Sequence, residues 1–157
     1  MEVTARILAH QRFFDGMPSE HLEALAEAAS EVMFPAGHRI FAEGDNDDKF
    51  WLIQSGYAVL DVLVPGEGPV IIATVGIGGL LGWSWLIPPR QRAFGAVCVT
   101  EVKAFEFSAA AVRECCEADP ALGYELTSRL FRVLAGRLED TTARLVAKSA
   151  AASLALA

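Results

Sequence analysis

Residues 31–63 read EVMFPAGHRIFAEGDNDDKFWLIQSGYAVLDVL and hold four short apolar segments separated by turn residues. Pro35-Ala36-Gly37, the acidic run 43–48 and Ser55-Gly56 each interrupt the apolar pattern. Further short apolar segments follow with similar spacing later in the chain. Short strands at regular intervals with glycine-rich turns are typical of an antiparallel sandwich or barrel. The sequence therefore predicts a mainly β fold with strands at residues 31–34, 39–42, 50–54, 58–63, 70–75, 93–99 and 102–107.

Helices are predicted on both sides of this strand-rich region. Residues 4–14 and 19–29 have amphipathic spacing, and Ser108 can cap a short helix. Asp119-Pro120 then begins a long helix, because a capping residue followed by proline is a common helix start. The predicted organisation is a single domain over residues 1–148, which includes a C-terminal helix over 120–148, and a flexible tail over 149–157.

The composition indicates a packed globular protein that is acidic. The chain has 157 residues, 53% of them hydrophobic, and a formal net charge of −7. Direct DNA binding is not expected, because it needs a basic footprint and the chain has no run of Lys or Arg. No apolar stretch reaches the roughly 18 residues of a membrane span, and the charged N-terminus is unlike a signal peptide. We expect a cytoplasmic protein without membrane insertion.

The cysteines and histidines do not form a recognisable metal motif. The chain has 3 of each, and two of the cysteines are the adjacent pair Cys115 and Cys116. Adjacent cysteines cannot easily chelate one metal ion together with histidines that lie far away in sequence. No metal site is therefore predicted.

A window without acidic residues lies between Glu67 and Glu101, in a chain that is acidic overall. Its centre is rich in glycine, and Arg90 and Arg92 follow the glycines. Glycines let backbone amides approach an anion closely, and a helical turn that begins after them directs its positive end at the anion. The window therefore predicts an anion site in which either arginine can be the counter-ion. It lacks a carboxylate, the usual acceptor for a sugar hydroxyl.

The long C-terminal helix carries two sets of apolar residues. One set, spaced to cover the domain's own core, consists of Leu122, Leu126, Leu130 and Val133. The other set follows the 4-3-4-3 spacing of a heptad seam, which is typical of helices that pair. Two interpretations stay open: an amphipathic helix that covers one core, and a helix that also pairs with its copy. We expect the homodimer, through the seam residues Phe131, Leu134, Leu138 and Leu145.

The order of these elements and three motifs resemble a known family. The motifs are Phe13-Phe14-Asp15-Gly16-Met17, FPAGHRIFAEGD at residues 34–45 and FWLIQSG at residues 50–56. They are similar to those of the cyclic nucleotide-binding domain, the regulatory domain of the catabolite-activator and fumarate-nitrate regulator family of bacterial transcription factors. The resemblance covers residues 11–148. It implies an antiparallel β-roll of the double-stranded β-helix or jelly-roll type, with N-terminal helices and a long C-terminal helix.

The resemblance also implies where a ligand binds. The family's phosphate-binding cassette is a glycine-containing turn that enters a short helix, and GWSWL at residues 82–86 aligns with it. The family has Gly-Glu there, and its glutamate accepts a hydrogen bond from the ribose 2′-hydroxyl, whereas this chain has Trp83. A later arginine pairs with the cyclic phosphate, and both Arg92 and Arg90 are candidates. The implied ligand-binding residues are Leu81, Gly82, Trp83, Ser84, Trp85, Arg90, Arg92 and Ala93.

Two functions are consistent with this sequence. The first is a stand-alone regulatory or sensor domain, without the helix-turn-helix part, whose candidate ligands are cyclic AMP, cyclic GMP or another small anion. Because Trp83 replaces the ribose-contacting glutamate, the ligand need not be a standard cyclic nucleotide. The alternative is a degenerate, non-binding roll that serves as an assembly module for a protein partner, with Trp83 and Trp85 filling the old pocket. An enzyme is not expected, because the chain has no nucleophile elbow, paired catalytic carboxylates or Walker-type loop.

Overall fold

The computed structural model describes residues 1–156, in which the chain forms two compact units, Met1–Glu125 and the part of the last helix from Leu126 onward. The helices are α1 (Ala5–Ala9), α2 (Ser19–Glu27), α3 (Ala109–Ala118) and α4 (Pro120–Leu156). Single 3-10 turns span Arg12–Phe14 and Ser84–Leu86. The strands are β1 (Ala29–Phe34), β2 (Arg39–Phe41), β3 (Lys49–Ser55), β4 (Ala58–Val64), β5 (Gly68–Val75), β6 (Leu80–Leu81), β7 (Gly95–Cys98) and β8 (Val102–Ser108).

The first unit contains two four-stranded antiparallel sheets. Their strand orders are β1-β8-β3-β6 and β2-β7-β4-β5. Phe41 and Leu60 from the second sheet share one apolar core with Trp51 and Ile53 from the first. Because alternate residues of a strand point to opposite faces, each sheet gives one face to this core. The predicted antiparallel β-roll with flanking helices is confirmed.

The seven predicted strands are present, and their ends differ from the prediction by at most two residues. Strand β6 was not predicted. It has only two residues, so it shows no alternation of apolar and polar side chains that a sequence pattern could detect. It forms because Leu80 and Leu81 pair with Leu52 and Trp51 of β3. This pairing brings the glycine-rich window to the edge of the first sheet.

The predicted helix over residues 4–14 is divided into two pieces. Thr4 caps α1 through its hydroxyl oxygen, which accepts a hydrogen bond from the Ile7 N–H at 3.3 Å. After α1 the chain turns, and a separate 3-10 turn places the buried ring of Phe14 6.0 Å from the ring of Phe107. Burial of Phe14 outweighs continuation of the helix, because an isolated short helix is only marginally stable.

Helix α4 begins where predicted and ends later than predicted. Asp119 Oδ1 accepts hydrogen bonds from the N–H groups of Ala121 at 3.1 Å and Leu122 at 3.4 Å. The predicted end at Lys148 is corrected to Leu156, because residues 149–156 of the predicted flexible tail continue the helix. This segment is rich in alanine, the strongest helix former. The last position of that predicted tail, Ala157, lies outside the described residues.

The apolar face of α4 that was assigned to a core is buried at three of its four positions. Leu122, Leu126 and Leu130 are buried, whereas Val133 is only half-buried. Through residue 156, neither α4 nor any other helix combines the length and apolar character that a membrane span requires.

Candidate anion-binding site

A tight turn connects β6 to the 3-10 turn at Ser84–Leu86. Gly82 makes this turn with φ at +82°, in the left-handed region that favours glycine. A Cβ atom at Gly82 would collide with Nη1 of Arg92 and would lie 3.2 Å from the carbonyl oxygen of Lys49. Glycine is therefore needed here both for the backbone conformation and for the space that the guanidinium occupies.

Arg92 is the charged group at the centre of this site, and it is only 3% exposed. Its Cζ atom lies 4.3 Å from the ring centroid of Phe41 and 5.2 Å from that of Trp51. Nη1 forms an ion pair with Asp47, and Nη2 donates a hydrogen bond to the Lys49 carbonyl oxygen. Nε is buried and has no hydrogen-bond partner in the described part of the chain. The guanidinium thus lies over two aromatic faces, and its Nε–H can donate to a further acceptor.

Asp47 is held beside Arg92 by backbone hydrogen bonds between two loops. Its own N–H donates to the Arg90 carbonyl oxygen at 2.9 Å, and the Arg92 N–H donates to the Asp45 carbonyl oxygen at 2.8 Å. The Gly44 N–H donates to the Arg92 carbonyl oxygen at 2.8 Å. Asp47 is 4% exposed, whereas its immediate neighbours in the acidic run are exposed. The paired loops therefore fix its carboxylate at the guanidinium.

The groups around Asp47 shift its pKa in opposite directions. Burial raises the pKa of Asp47, and the side chain of Ser84 and the charge of Arg92 lower it. The nearby charge of Asp48 also raises this pKa, and that of Arg113 in α3 lowers it. Ser84 is itself buried at the start of the 3-10 turn. A charged Asp47 in the interior therefore depends on Arg92 and Ser84.

A cavity of about 290 Å³ lies next to Arg92. Its aromatic lining consists of Phe34, Phe41 and Trp51. Its charged lining consists of Arg92, Lys49, Asp45, Asp48 and Glu106. Glu106 accepts a hydrogen bond from Trp51 Nε1 at 2.9 Å and lies 2.8 Å from Lys49 Nζ. Flat apolar surfaces with a few polar groups between them suit a planar ring that carries charged substituents.

The roll and its glycine-rich turn match a known family of domains. Residues 31–119, more than half of the chain, match the family model for the cyclic nucleotide-binding domain. The chain belongs to the cyclic nucleotide-binding domain family. This confirms the resemblance drawn from the motifs at residues 34–45 and 50–56.

Relatives of this cyclic nucleotide-binding domain include longer regulators. The CRP-like cAMP-activated global transcriptional regulator of Mycobacterium tuberculosis (strain ATCC 25618 / H37Rv) is 31% identical over 139 residues. That match covers 88% of this chain but 60% of the regulator, so the chain spans less than two thirds of its relative. The solved N-terminal domain of a transcriptional regulator from Streptomyces coelicolor A3(2) is 26% identical with a TM-score of 0.65, over 85% of this chain and 93% of that one.

A second solved structure shows the same fold at lower identity. It is a cyclic nucleotide-binding domain from Methylobacillus flagellatus KT, 24% identical to this chain with a TM-score of 0.78. The superposition covers 92% of this chain and 81% of that one. The fold is therefore shared over almost the whole chain.

The residues that the sequence predicts to bind a ligand differ in how far this cyclic nucleotide-binding domain buries them. Leu81, Gly82, Ser84 and Arg92 are buried, and Arg92 lies against Gly82. Trp83 is half-buried, whereas Arg90 and Ala93 are exposed. Between the two candidate arginines, the structure places Arg92 at the turn. The ligand-binding roles of all these residues stay predictions.

Trp85 lies on the other side of β3 from Arg92. Its fully buried ring stacks on Phe50, with the ring centroids 4.8 Å apart. Phe50 and Trp51 are neighbours in β3 and point to opposite faces, and Trp51 is the residue next to Arg92. Trp85 is therefore a core side chain. This corrects the interpretation in which both Trp83 and Trp85 fill the pocket.

The turn is also tied to the following helix. Nη1 of Arg113 in α3 donates a hydrogen bond to the Trp85 carbonyl oxygen at 3.2 Å. Helix α3 ends at Ala118, directly before Asp119, the residue that caps α4. The 3-10 turn and the start of α4 are thus linked through α3.

Sequence reasoning missed Asp47, because it placed the acidic run 43–48 among the turns between strands, and turn residues usually lie at the surface. That interpretation fits the neighbours of Asp47, which are exposed, and is wrong for Asp47 itself. Nothing in the local sequence separates one aspartate of this run from another. Its burial arises from pairing with residues 90–92, more than forty positions later. Within residues 1–156, no group of three or more His, Cys, Asp or Glu side chains is arranged to hold a metal ion.

Proposed function

We propose that this domain is regulatory and binds a small phosphate-type anion, with a cyclic nucleotide as the first candidate, at the Gly82–Trp85 turn and Arg92. The observation that carries the proposal is a buried guanidinium held against a glycine turn, with a spare N–H donor at Nε. Guanidinium groups bind phosphate oxygens strongly, often two at a time. The Mycobacterium relative is a cAMP-activated regulator, which makes cyclic AMP the first ligand to test.

Trp83 is expected to change which part of a nucleotide is recognised. A hydrogen bond to a charged group contributes about 1.5–3 kcal/mol, so the missing glutamate should weaken cyclic nucleotide binding roughly tenfold to a hundredfold. The half-buried indole offers a flat surface to a base, and it accepts no hydrogen bond from a ribose hydroxyl. The ligand is thus recognised through its phosphate and its ring rather than its sugar.

This leads to a test with a matched pair of ligands. In calorimetric titrations, 2′-deoxy cyclic AMP should bind within about twofold of cyclic AMP, because no carboxylate receives the 2′-hydroxyl. Cyclic GMP and inorganic phosphate complete the series. The R90M variant should bind like the wild-type protein, because Arg90 is exposed. If no member of the series binds, by heat or by changes in amide chemical shifts, the proposed function is wrong.

The second candidate is a degenerate roll that has lost its ligand and serves as a platform for a protein partner. The observation that favours it is the ion pair with Asp47, which gives Arg92 an anion from the protein itself. In that case no member of the ligand series gives a binding signal. Binding of any member of the ligand series by the wild-type protein would exclude this candidate.

We also propose that α4 pairs with its copy in a homodimer. Phe131, Leu138 and Leu145 are 70%, 68% and 64% exposed, and each is seven residues from the next. Leu134, which lies between the first two in the seam, is half-buried. Apolar side chains at heptad spacing form a seam that a second helix can cover. Exposure of such a line on an unpaired helix is unfavourable in water.

The dimer can be tested with two glutamate variants. L138E should convert a dimer into a monomer in light-scattering measurements, because it places a charge within the apolar seam. V146E is the matched control: Val146 is 62% exposed on the same helix but lies outside the seam, so this variant should stay dimeric. A wild-type protein that is monomeric at high concentration would contradict the proposal, as would equal dissociation of both variants.

A further inference from the structure

We propose that Asp47 is a built-in competitor for the anion site, whose carboxylate must leave Arg92 before an external anion can bind there. The inference rests on the proposed function of Arg92 as the anion-binding residue. It adds a specificity-determining residue that the ligand-binding set predicted from the sequence does not contain. An anion is then accepted only if its contacts outweigh those that Asp47 already makes.

The geometry brings the two anions to the same side of the guanidinium. Asp47 pairs with Nη1, the nitrogen that faces Gly82, so it occupies the side of the guanidinium next to the glycine turn. Nη2 is engaged by the Lys49 carbonyl oxygen. A phosphate that contacts both the glycine turn and the guanidinium therefore meets the Asp47 carboxylate at Nη1. The carboxylate is the partner whose side chain can rotate away, because the Lys49 carbonyl belongs to strand β3.

The charges around Arg92 also favour departure of the Asp47 carboxylate when an external anion binds. The carboxylates of Asp47, Asp48 and Asp45 all act on Arg92 by charge interaction. The groups that act on Asp47 itself are Ser84 of the turn, Arg113 of α3, Asp48 and Arg92. An external anion would add a fourth negative charge beside one buried guanidinium. Removal of the Asp47 charge relieves this repulsion at the closest position.

Titration of D47N with cyclic AMP and with inorganic phosphate tests the inference. D47N keeps the size of the side chain and removes its charge, so its affinity for cyclic AMP should exceed that of the wild-type protein by at least about tenfold. E43Q is the matched control, since it removes one negative charge from the same acidic run at an exposed position outside the cavity lining. Its affinity should stay within about twofold of wild type.

Each outcome has a separate meaning for the two proposals. If the wild-type protein and D47N bind equally well, Asp47 is not a competitor, and the proposed function stands. If D47N binds and the wild-type protein does not, the competition is supported and the function proposed for the wild-type protein is wrong. If neither binds any anion, both proposals are wrong.

A second variant and a measurement on the wild-type protein test the inference even if D47N does not fold. D47A removes the carboxylate without adding an amide that needs its own partners, and it should also bind more tightly than wild type. In the wild-type protein, carbon NMR of the Asp47 carboxyl should show a change of chemical shift when cyclic AMP saturates the protein. Saturation without such a change would overturn the inference.

Discussion

The R92M variant should lose about 3–5 kcal/mol of unfolding free energy, because it leaves the carboxylate of Asp47 buried without its counter-charge. Methionine retains an unbranched apolar chain that can pack beside Phe41 and Trp51, so the loss reports mainly on charge and hydrogen bonding. Urea unfolding at neutral pH, followed by tryptophan fluorescence, measures it. R90M should remain close to wild type, since Arg90 is exposed.

Two further measurements identify the cause of this loss. The double variant R92M/D47L should regain most of the stability, because replacement of both charges by apolar side chains avoids an unpaired buried charge. The deficit of R92M should also shrink as the pH falls from 7 toward about 4. Without Arg92 the pKa of Asp47 rises further, and a carboxyl whose folded-state pKa is raised is least destabilising when it is protonated. A deficit that persists in the double variant and at low pH would contradict this explanation.

The G82A variant should lose about 3 kcal/mol, whereas G78A should lose about 1 kcal/mol. Both glycines have positive φ, +82° for Gly82 and +78° for Gly78, so alanine meets a similar backbone penalty at each position. They differ in space: a Cβ at Gly78 meets nothing within 4 Å, whereas one at Gly82 collides with Arg92 Nη1. The difference between the two variants therefore reports on displacement of the guanidinium.

The same urea measurements decide the outcome for the glycine pair. In G82A the Arg92 side chain has to move, and its contact with Asp47 is weakened as a result. Equal losses in G82A and G78A would mean that Arg92 can adjust without consequence for stability. In that case the close approach of Gly82 to Arg92 would have no energetic role.

Most of the fold follows from local sequence signals. The turns at Gly37, Gly44 and Gly56 have positive φ, and the strands between them lie where the alternation of apolar residues predicts. Asp119 caps α4 because its side chain and the proline after it are local determinants. The exceptions depend on distant partners. Strand β6 exists through pairing with β3, and the chain turns before Phe14 because that ring packs near β8.

The arrangement of the candidate site could be predicted only in part, for the same reason. The glycine turn at residue 82 has a local signal, because glycine there is needed for a left-handed backbone. The choice between Arg90 and Arg92 depends on which of two arginines, separated by one residue, points into the roll. Asp47 reaches the site through loop pairing across more than forty residues, and Trp85 is removed from it by stacking on Phe50. Such contacts become visible only when the chain is folded.

The hydrogen bond from Arg113 to the Trp85 carbonyl oxygen limits how the proposed anion-binding turn can respond to a ligand. If the 3-10 turn shifts to admit an anion, either this bond breaks or α3 moves with the turn. The first response leaves the Trp85 carbonyl oxygen without its donor, and the second displaces Asp119, the residue that caps α4. If ligand binding is transmitted by a rigid shift of the turn, α3 is therefore the first element to move. The solvent-exchange rates of amide protons should change first in α3.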